Sequence, residues 1–325
     1  MAVSATKTLN RSFIQKFLPL FAMKTDKKTL IVVLGPTASG KTSLSIEVAK
    51  HFGVPVLSCD SRQFYREIPV GTAAPTPKEQ DGVPHHFVGD RSVTEHYNCG
   101  RYEEDALKLL DKLFLQHDQV VMVGGSGLYI DAVCEGMDDI PAVDPSIRPA
   151  LQERFEREGL ENLLTDLQTH DPEYHKKVDR CNPARVIRAL EVCVGTGKSY
   201  TELRKGGIRK RPFDVVKIGV DMPREELYDR INRRVDAMLD AGLEEEAQAV
   251  YPLREHNALQ TVGFREFFAH FDGEISREET VELIKRNSRR YAKRQMTWFG
   301  RDGNIAWFAK DDTAKAIQHI ETEIR

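Results

Sequence analysis

The sequence predicts an α/β protein, a parallel sheet flanked by helices and interrupted by an all-helical insertion. Three observations carry that prediction. Short Val/Ile/Leu runs alternate with helix-patterned segments over residues 29–143, a pattern that calls for parallel strands joined by right-handed crossovers. One of those runs feeds into "GPTASGKT", a Gly-rich loop that opens a helix. Between residues 144 and 205 the strand signal stops, and only charged sequence with helical periodicity remains.

The elements follow in order. Residues 1–28 are basic, lack acids until Asp26, and hold one short apolar patch from Phe17 to Met23. They read as a disordered leader, or as sequence upstream of a start at Met23. Leu30–Leu34 is the first strand and Ser43–His51 the helix beyond the loop. Val54–Leu57 is the second strand, with Asp60-Ser61 past its carboxyl end. The helix Tyr102–His117 then leads to a third strand, Gln119–Val123, broken by Gly124-Gly125-Ser126-Gly127. Ligands of such sheets bind beyond the carboxyl ends of the strands, so the loop, Asp60 and Ser126 should share one rim.

The insertion, 144–205, places Val186, Ile187, Leu190 and Val194 on one helical stripe. Its "GTGKS", Gly195–Ser199, imitates half a phosphate loop. The leading glycine of the full pattern is replaced by Val192, and a helix runs into it, so a helix C-cap turn is expected. The core resumes over 206–310 with a return strand in Phe213–Pro223, long charged helices to Arg294, and a last short strand in "NIAWF". Residues 311–325 read as a C-terminal tail.

Composition sets the outer limits. The 325 residues are 40% hydrophobic and 30% charged with a net charge of −3, so any attraction to nucleic acid must come from a local basic surface. The cysteines, Cys59, Cys99, Cys134, Cys181 and Cys193, form no CxxC pair and suggest reduced thiols in a cytoplasmic protein. No apolar run approaches bilayer length, so no membrane partner is expected.

The chemistry begins at Gly35-Pro36-Thr37-Ala38-Ser39-Gly40-Lys41-Thr42, the full G-x-x-x-x-G-K-[ST] pattern between a strand and a helix. Its backbone N–H groups and helix N-terminus suit a phosphate, Lys41 adds a point charge, and the Thr42 hydroxyl suits Mg²⁺. That makes the core P-loop NTPase-like. Asp60 on the same rim reads equally as an N-cap, as a carboxylate in a Mg²⁺ shell, or as a general base. The third strand ends without the acid expected of an ATPase, which weakens a motor or GTPase reading. His85-His86 lack a third ligand at metal-site spacing and read as structural or solvated. Arg230 and Arg234 lie four apart on one helix face, available to a phosphate. In "KRNSRRYAKRQMTWF" helical spacing aligns Arg286, Arg289, Arg290 and Lys293, a one-signed stripe suited to a nucleic-acid backbone.

In combination, "GPTASGKT", "DSRQFY", "GTAAPT", "PHHFVGD", "VGGSGLY", "NPARVIRALEV", "QTVGFRE" and "AKRQMTWF" make the chain resemble the bacterial tRNA dimethylallyltransferases over roughly Leu30 to Phe308. That resemblance implies transfer of a dimethylallyl group from its diphosphate to N6 of the adenosine 3′ of the anticodon, in tRNAs reading codons that begin with U. It implies Asp60 as the base, Thr37 as a companion that orients the reacting groups, and Arg234 on the departing diphosphate, with Arg230 its near neighbour. The phosphate loop would then hold dimethylallyl diphosphate, with Mg²⁺ near Thr42. Asp60, Ser61, Arg62 and Gln63, Ser126, Arg148, the run Asn182, Pro183, Ala184, Arg185 and Val186, and the run Gln260, Thr261, Val262, Gly263, Phe264 and Arg265 would fall on tRNA-contact segments. The insertion would clasp the anticodon stem-loop, and the protein would act as a monomer. Ser126 stands where the family often has Thr, and "NPARV" varies among members. The alternatives are a small-molecule or nucleotide kinase using ATP, and a nucleotide-gated RNA-binding protein without catalysis.

Overall fold

The computed structural model describes residues 27–204 and 206–325; residues 1–26 of the expected leader, and Lys205 at the end of the expected insertion, lie outside the described residues. The strands are β1 (Thr29–Leu34), β2 (Val56–Ser58), β3 (His85–His86), β4 (Gln119–Gly124), β5 (Asp214–Asp221) and β6 (Ile305–Ala309). They form one parallel sheet in the order β3-β2-β4-β1-β5-β6. β1 is central, with Leu30 registered against Val120 on one side and Val215 on the other. Its six residues are all buried, as a strand covered on both faces requires.

The helices alternate with those strands: α1 (Lys41–Phe52), α2 (Pro69–Thr72), α3 (Pro77–Gln80), α4 (Cys99–Leu113) and α5 (Gly127–Glu135). The insertion follows as α6 (Ile147–Glu158), α7 (Leu160–His170), α8 (Pro172–Lys177), α9 (Pro183–Thr196) and α10 (Tyr200–Leu203). After β5 come α11 (Arg224–Asp240), α12 (Leu243–Val250), α13 (Phe264–Phe271) and α14 (Arg277–Phe299), and α15 (Thr313–Glu323) closes the chain. The period of two along β1 and β4 sorts their side chains into two layers. Leu30, Val32, Val120 and Met122 meet Tyr102, Leu110 and Ile130 of α4 and α5. Ile31, Val33, Val121 and Val123 meet Ile46 and Val48 of α1 and Ala316 and Ile320 of α15.

Residues 311–325 are therefore no loose tail: α15 lies on the sheet because Ala316 and Ile320, one turn apart, are fully buried there. A second lobe packs Leu243, Ala247, Phe264, Phe267 and Ile284 of α12–α14 around Ile68. The insertion has its own core of Leu163, Leu167, Val186, Ile187 and Leu190. Val194 leaves the predicted stripe and is 50% exposed, because the seventh residue after Val186 is Cys193, which takes the buried position. "GTGKS" is a helix end: Gly197 caps α9 at φ 68° and donates its N–H to Cys193, and Ser199 caps α10. His85 and His86 are strand residues beside Val56 and Leu57, and no group of three His, Cys, Asp or Glu able to hold a metal occurs among the described residues.

Candidate active site

The carboxyl ends of β1, β2 and β4 open onto a cavity of about 700 Å³. Thr37, Lys41 and Thr42 enter it from the phosphate loop, and Asp60 to Gln63 from the end of β2. The opposite wall comes from the second lobe: Arg234 of α11, Gln260 to Val262, Arg265, and Arg290, Tyr291 and Arg294 of α14. Six lining residues are cationic and two acidic, so in a chain of net charge −3 the site concentrates positive potential.

The loop's conformation is imposed by its neighbours. Ala38 sits in the left-handed region at φ 64°, a placement that costs about 1–2 kcal/mol for a residue with a Cβ. Two contacts offset that cost. Arg230 donates its Nε–H to the Ala38 carbonyl at 2.8 Å, and the Ala38 side chain packs against Leu227 and Ile231 of α11. Lys41 donates to the Pro36 carbonyl at 3.2 Å. Desolvation in the loop, then repulsion from Arg234, lowers the Lys41 ammonium to about 8, with Asp60 opposing the shift. Burial also lowers Arg234, and the Asp60 charge again opposes.

Asp60 is fixed locally, since its Oδ1 accepts from the Arg62 N–H at 3.0 Å in an Asx turn. The adjacent Ser61 N–H donates to Ser126 Oγ at 3.1 Å, which ties the end of β2 to the start of α5. Tyr291 faces the same groups; burial and the Asp60 charge push its phenol up to about 12. Gln63 holds the wall around α2 by donating to the carbonyls of Thr72 and Ala73. Arg230 and Arg234 thus part company. Arg230 serves the loop's own carbonyl, whereas Arg234 is coupled to both Lys41 and Asp60. Lys41, Thr42 and Arg234 also line a smaller cavity of about 340 Å³, and there Arg230 and Arg233 join them.

Other predicted contact residues are distributed unevenly. Val186 and Phe264 are fully buried core residues whose side chains cannot reach RNA; each anchors its segment to a hydrophobic core. Gly263 is buried and donates to Glu266, starting α13. Arg148 and Asn182 to Val186 belong to the insertion and do not line the cavity. Arg148 and Arg188 share Glu191, where burial favours the neutral acid but both guanidinium partners hold the carboxyl below its usual value. Asn182 caps α9, while Ala184 and Arg185 are exposed. The basic stripe is split. Arg289 donates to Asn232 at 2.5 Å in the seam with α11, leaving Arg286, Arg290, Lys293 and Arg294 exposed. The sequence names Tyr291 only as an aromatic interleaved with the basic stripe, and it does not single out Gln295 at all. The only signal was their spacing of four on a basic helix.

The family described as IPP transferase matches residues 63–302. The tRNA dimethylallyltransferase 1 of Phocaeicola vulgatus is 51% identical over 294 residues, covering 90% of this chain and 98% of that protein. The chain belongs to this tRNA dimethylallyltransferase family. A tRNA dimethylallyltransferase of Cytophaga hutchinsonii is 50% identical over 298 residues, 92% of this chain and 98% of that one. Among solved structures, the tRNA isopentenylpyrophosphate transferase of Bacillus halodurans superimposes with a TM-score of 0.67 at 37% identity, covering 92% of this chain and 96% of that one. A eukaryotic dimethylallyltransferase acting on tRNA gives a TM-score of 0.73 at 26% identity, covering 88% and 75%. Membership of this family sets the kinase alternative aside. Among the described residues no helix is long and apolar enough to cross a membrane.

Proposed function

We propose that this chain transfers a dimethylallyl group from dimethylallyl diphosphate to N6 of the adenosine 3′ of the anticodon, in tRNAs reading codons that begin with U. The observation that carries this reading is a single cavity joining the phosphate loop, the Asp60 carboxylate and a cationic wall on the second lobe. Adenine N6 is a weak nucleophile, because its lone pair is delocalised into the ring. The reaction therefore needs a neutralised leaving group and a proton acceptor. In the transfer, the bond from N6 to the prenyl C1 forms as the bond from C1 to the diphosphate oxygen breaks, and the N6 proton passes to Asp60. Thr37 orients the reacting groups. Lys41, the loop amides and Arg234 stabilise charge on the departing diphosphate, the kind of preorganised electrostatics that contributes most to many enzymes.

Mg²⁺ fits the donor set. Thr42 offers one hydroxyl at the rim, and a Mg²⁺ carried on a diphosphate takes few protein ligands. When bound it would add further charge neutralisation at the leaving oxygens. The target base lies in a stacked anticodon arm, and drawing it out costs a few kcal/mol. We assign the compensating backbone contacts to the exposed cations of α14, to Arg265 and to the insertion.

The test incubates the protein with unmodified tRNA, Mg²⁺ and dimethylallyl diphosphate labelled in the prenyl group. Protein-dependent label in tRNA is expected. Unlabelled tRNA, together with turnover of ATP, would sink the proposal.

A further inference from the structure

Gln295 lies on α14 one turn beyond Tyr291, with its carboxamide buried against two loops of the rim. Its Oε1 accepts from the Thr37 N–H at 2.9 Å, and its Nε2 donates to the Gly125 carbonyl at 2.8 Å. Both partners are backbone groups just past strand ends, Thr37 beyond β1 and Gly125 beyond β4, where the sheet ladder has stopped. A Cβ at position 125 would stand 2.3 Å from Gln295 Nε2 and 3.3 Å from the Gly35 carbonyl oxygen, so a side chain there would push the carboxamide from its present place. The neighbouring residues Arg290 and Arg294 are exposed and line the cavity. One rigid helix therefore presents cations to the open side of the site and holds the phosphate loop from the buried side.

We infer that Gln295 is a positioning residue for the transfer: it fixes the phosphate loop through the Thr37 N–H and the β4 turn through Gly125, and it ties both to the helix on which RNA docks. The inference rests on the transferase reading above. It also reassigns one loop amide. The Thr37 N–H is already engaged, so the diphosphate draws on the amides farther along the loop and on Lys41. Misplacing reacting groups by about 1 Å can cost on the order of 100-fold in rate. The helix itself is anchored elsewhere by buried Ile284, Ala292 and Phe299, so the fold does not depend on this amide.

The experiment compares Gln295→Met, close in shape but without the donor and acceptor, with the parent protein at saturating tRNA and dimethylallyl diphosphate. A fall in kcat of roughly 10- to 100-fold is expected, with tRNA Kd and melting temperature near the parent values. Gly125→Ala attacks the same contact from the other side. It should lower kcat too, and the double variant should be no slower than the slower single one. A kcat for Gln295→Met within about two-fold of the parent, a loss that merely follows the folded fraction, or additive losses in the double variant would each overturn the inference. If Gln295→Met does not fold, Gly125→Ala decides alone, and an unchanged kcat counts against the inference. Inactivity of the parent protein would refute the transferase reading instead.

Discussion

Asp60 has one carboxylate oxygen committed to the Arg62 N–H and lines the cavity that also holds Lys41 and Arg234. As the proposed base, Asp60 should act on the rate and not on docking. Asp60→Asn should lower the single-turnover rate by about 10²–10⁴-fold and leave tRNA affinity within a few-fold; a binding loss as large as the rate loss would contradict the assignment. Lys41 makes a separate prediction, in pH. Its free-state value of about 8 lies below the 10.5 of an unstrained lysine, so the proton is lost from the unliganded site as pH rises through about 8. The trianionic diphosphate needs the ammonium, so its affinity should weaken above that pH, and binding near it should take up a proton. Calorimetry in buffers of differing ionisation enthalpy reads this directly, and zero proton uptake would refute it. The loop and Asp60 were legible because their residue types are the chemistry. The burial of Val186 and Phe264 was not, since a contact segment and its apolar anchor look alike in a linear sequence.

At the scale of elements, α14 carries the RNA reading. Periodicity identified its basic face but could not show which edge of the stripe meets α11. That edge belongs to Lys285, paired with Asp236 at 2.6 Å, and to Arg289, bonded to Asn232. The exposed pair Arg290 and Arg294 should then dominate electrostatic attraction. Replacing both by Gln should weaken tRNA binding and reduce the slope of log K against log[salt] by about 1 to 2, whereas Arg289→Gln should scarcely alter that slope. Equal slopes for both variants would return the face to a solvated role. Gln295 eluded the sequence for a related reason: a side chain that bonds two remote backbone groups has no local signature. Its partners lie 258 and 170 residues away.

At the scale of the whole molecule, strand–helix alternation and the helical insertion were legible because parallel sheets leave unbroken apolar runs. β2 proved harder, since only Val56–Ser58 pair, and residues just before them that look like strand form the approach. The final helix was also missed, because eleven mostly polar residues show little until Ala316 and Ile320 are seen on the sheet. Ile320→Ala should lower stability by about 2–5 kcal/mol in denaturant unfolding while leaving kcat per folded molecule unchanged; a shift below about 0.5 kcal/mol would show that α15 is dispensable. The architecture as a whole places a phosphate loop where its anion departs from a carbon. The direct measurement uses dimethylallyl diphosphate labelled separately in the prenyl group and in its phosphates, with unmodified tRNA as acceptor. One prenyl label entering tRNA for each diphosphate released, with no phosphate label in the RNA, is the predicted result. Phosphate label in the RNA, or release of diphosphate without prenylated tRNA, would contradict it.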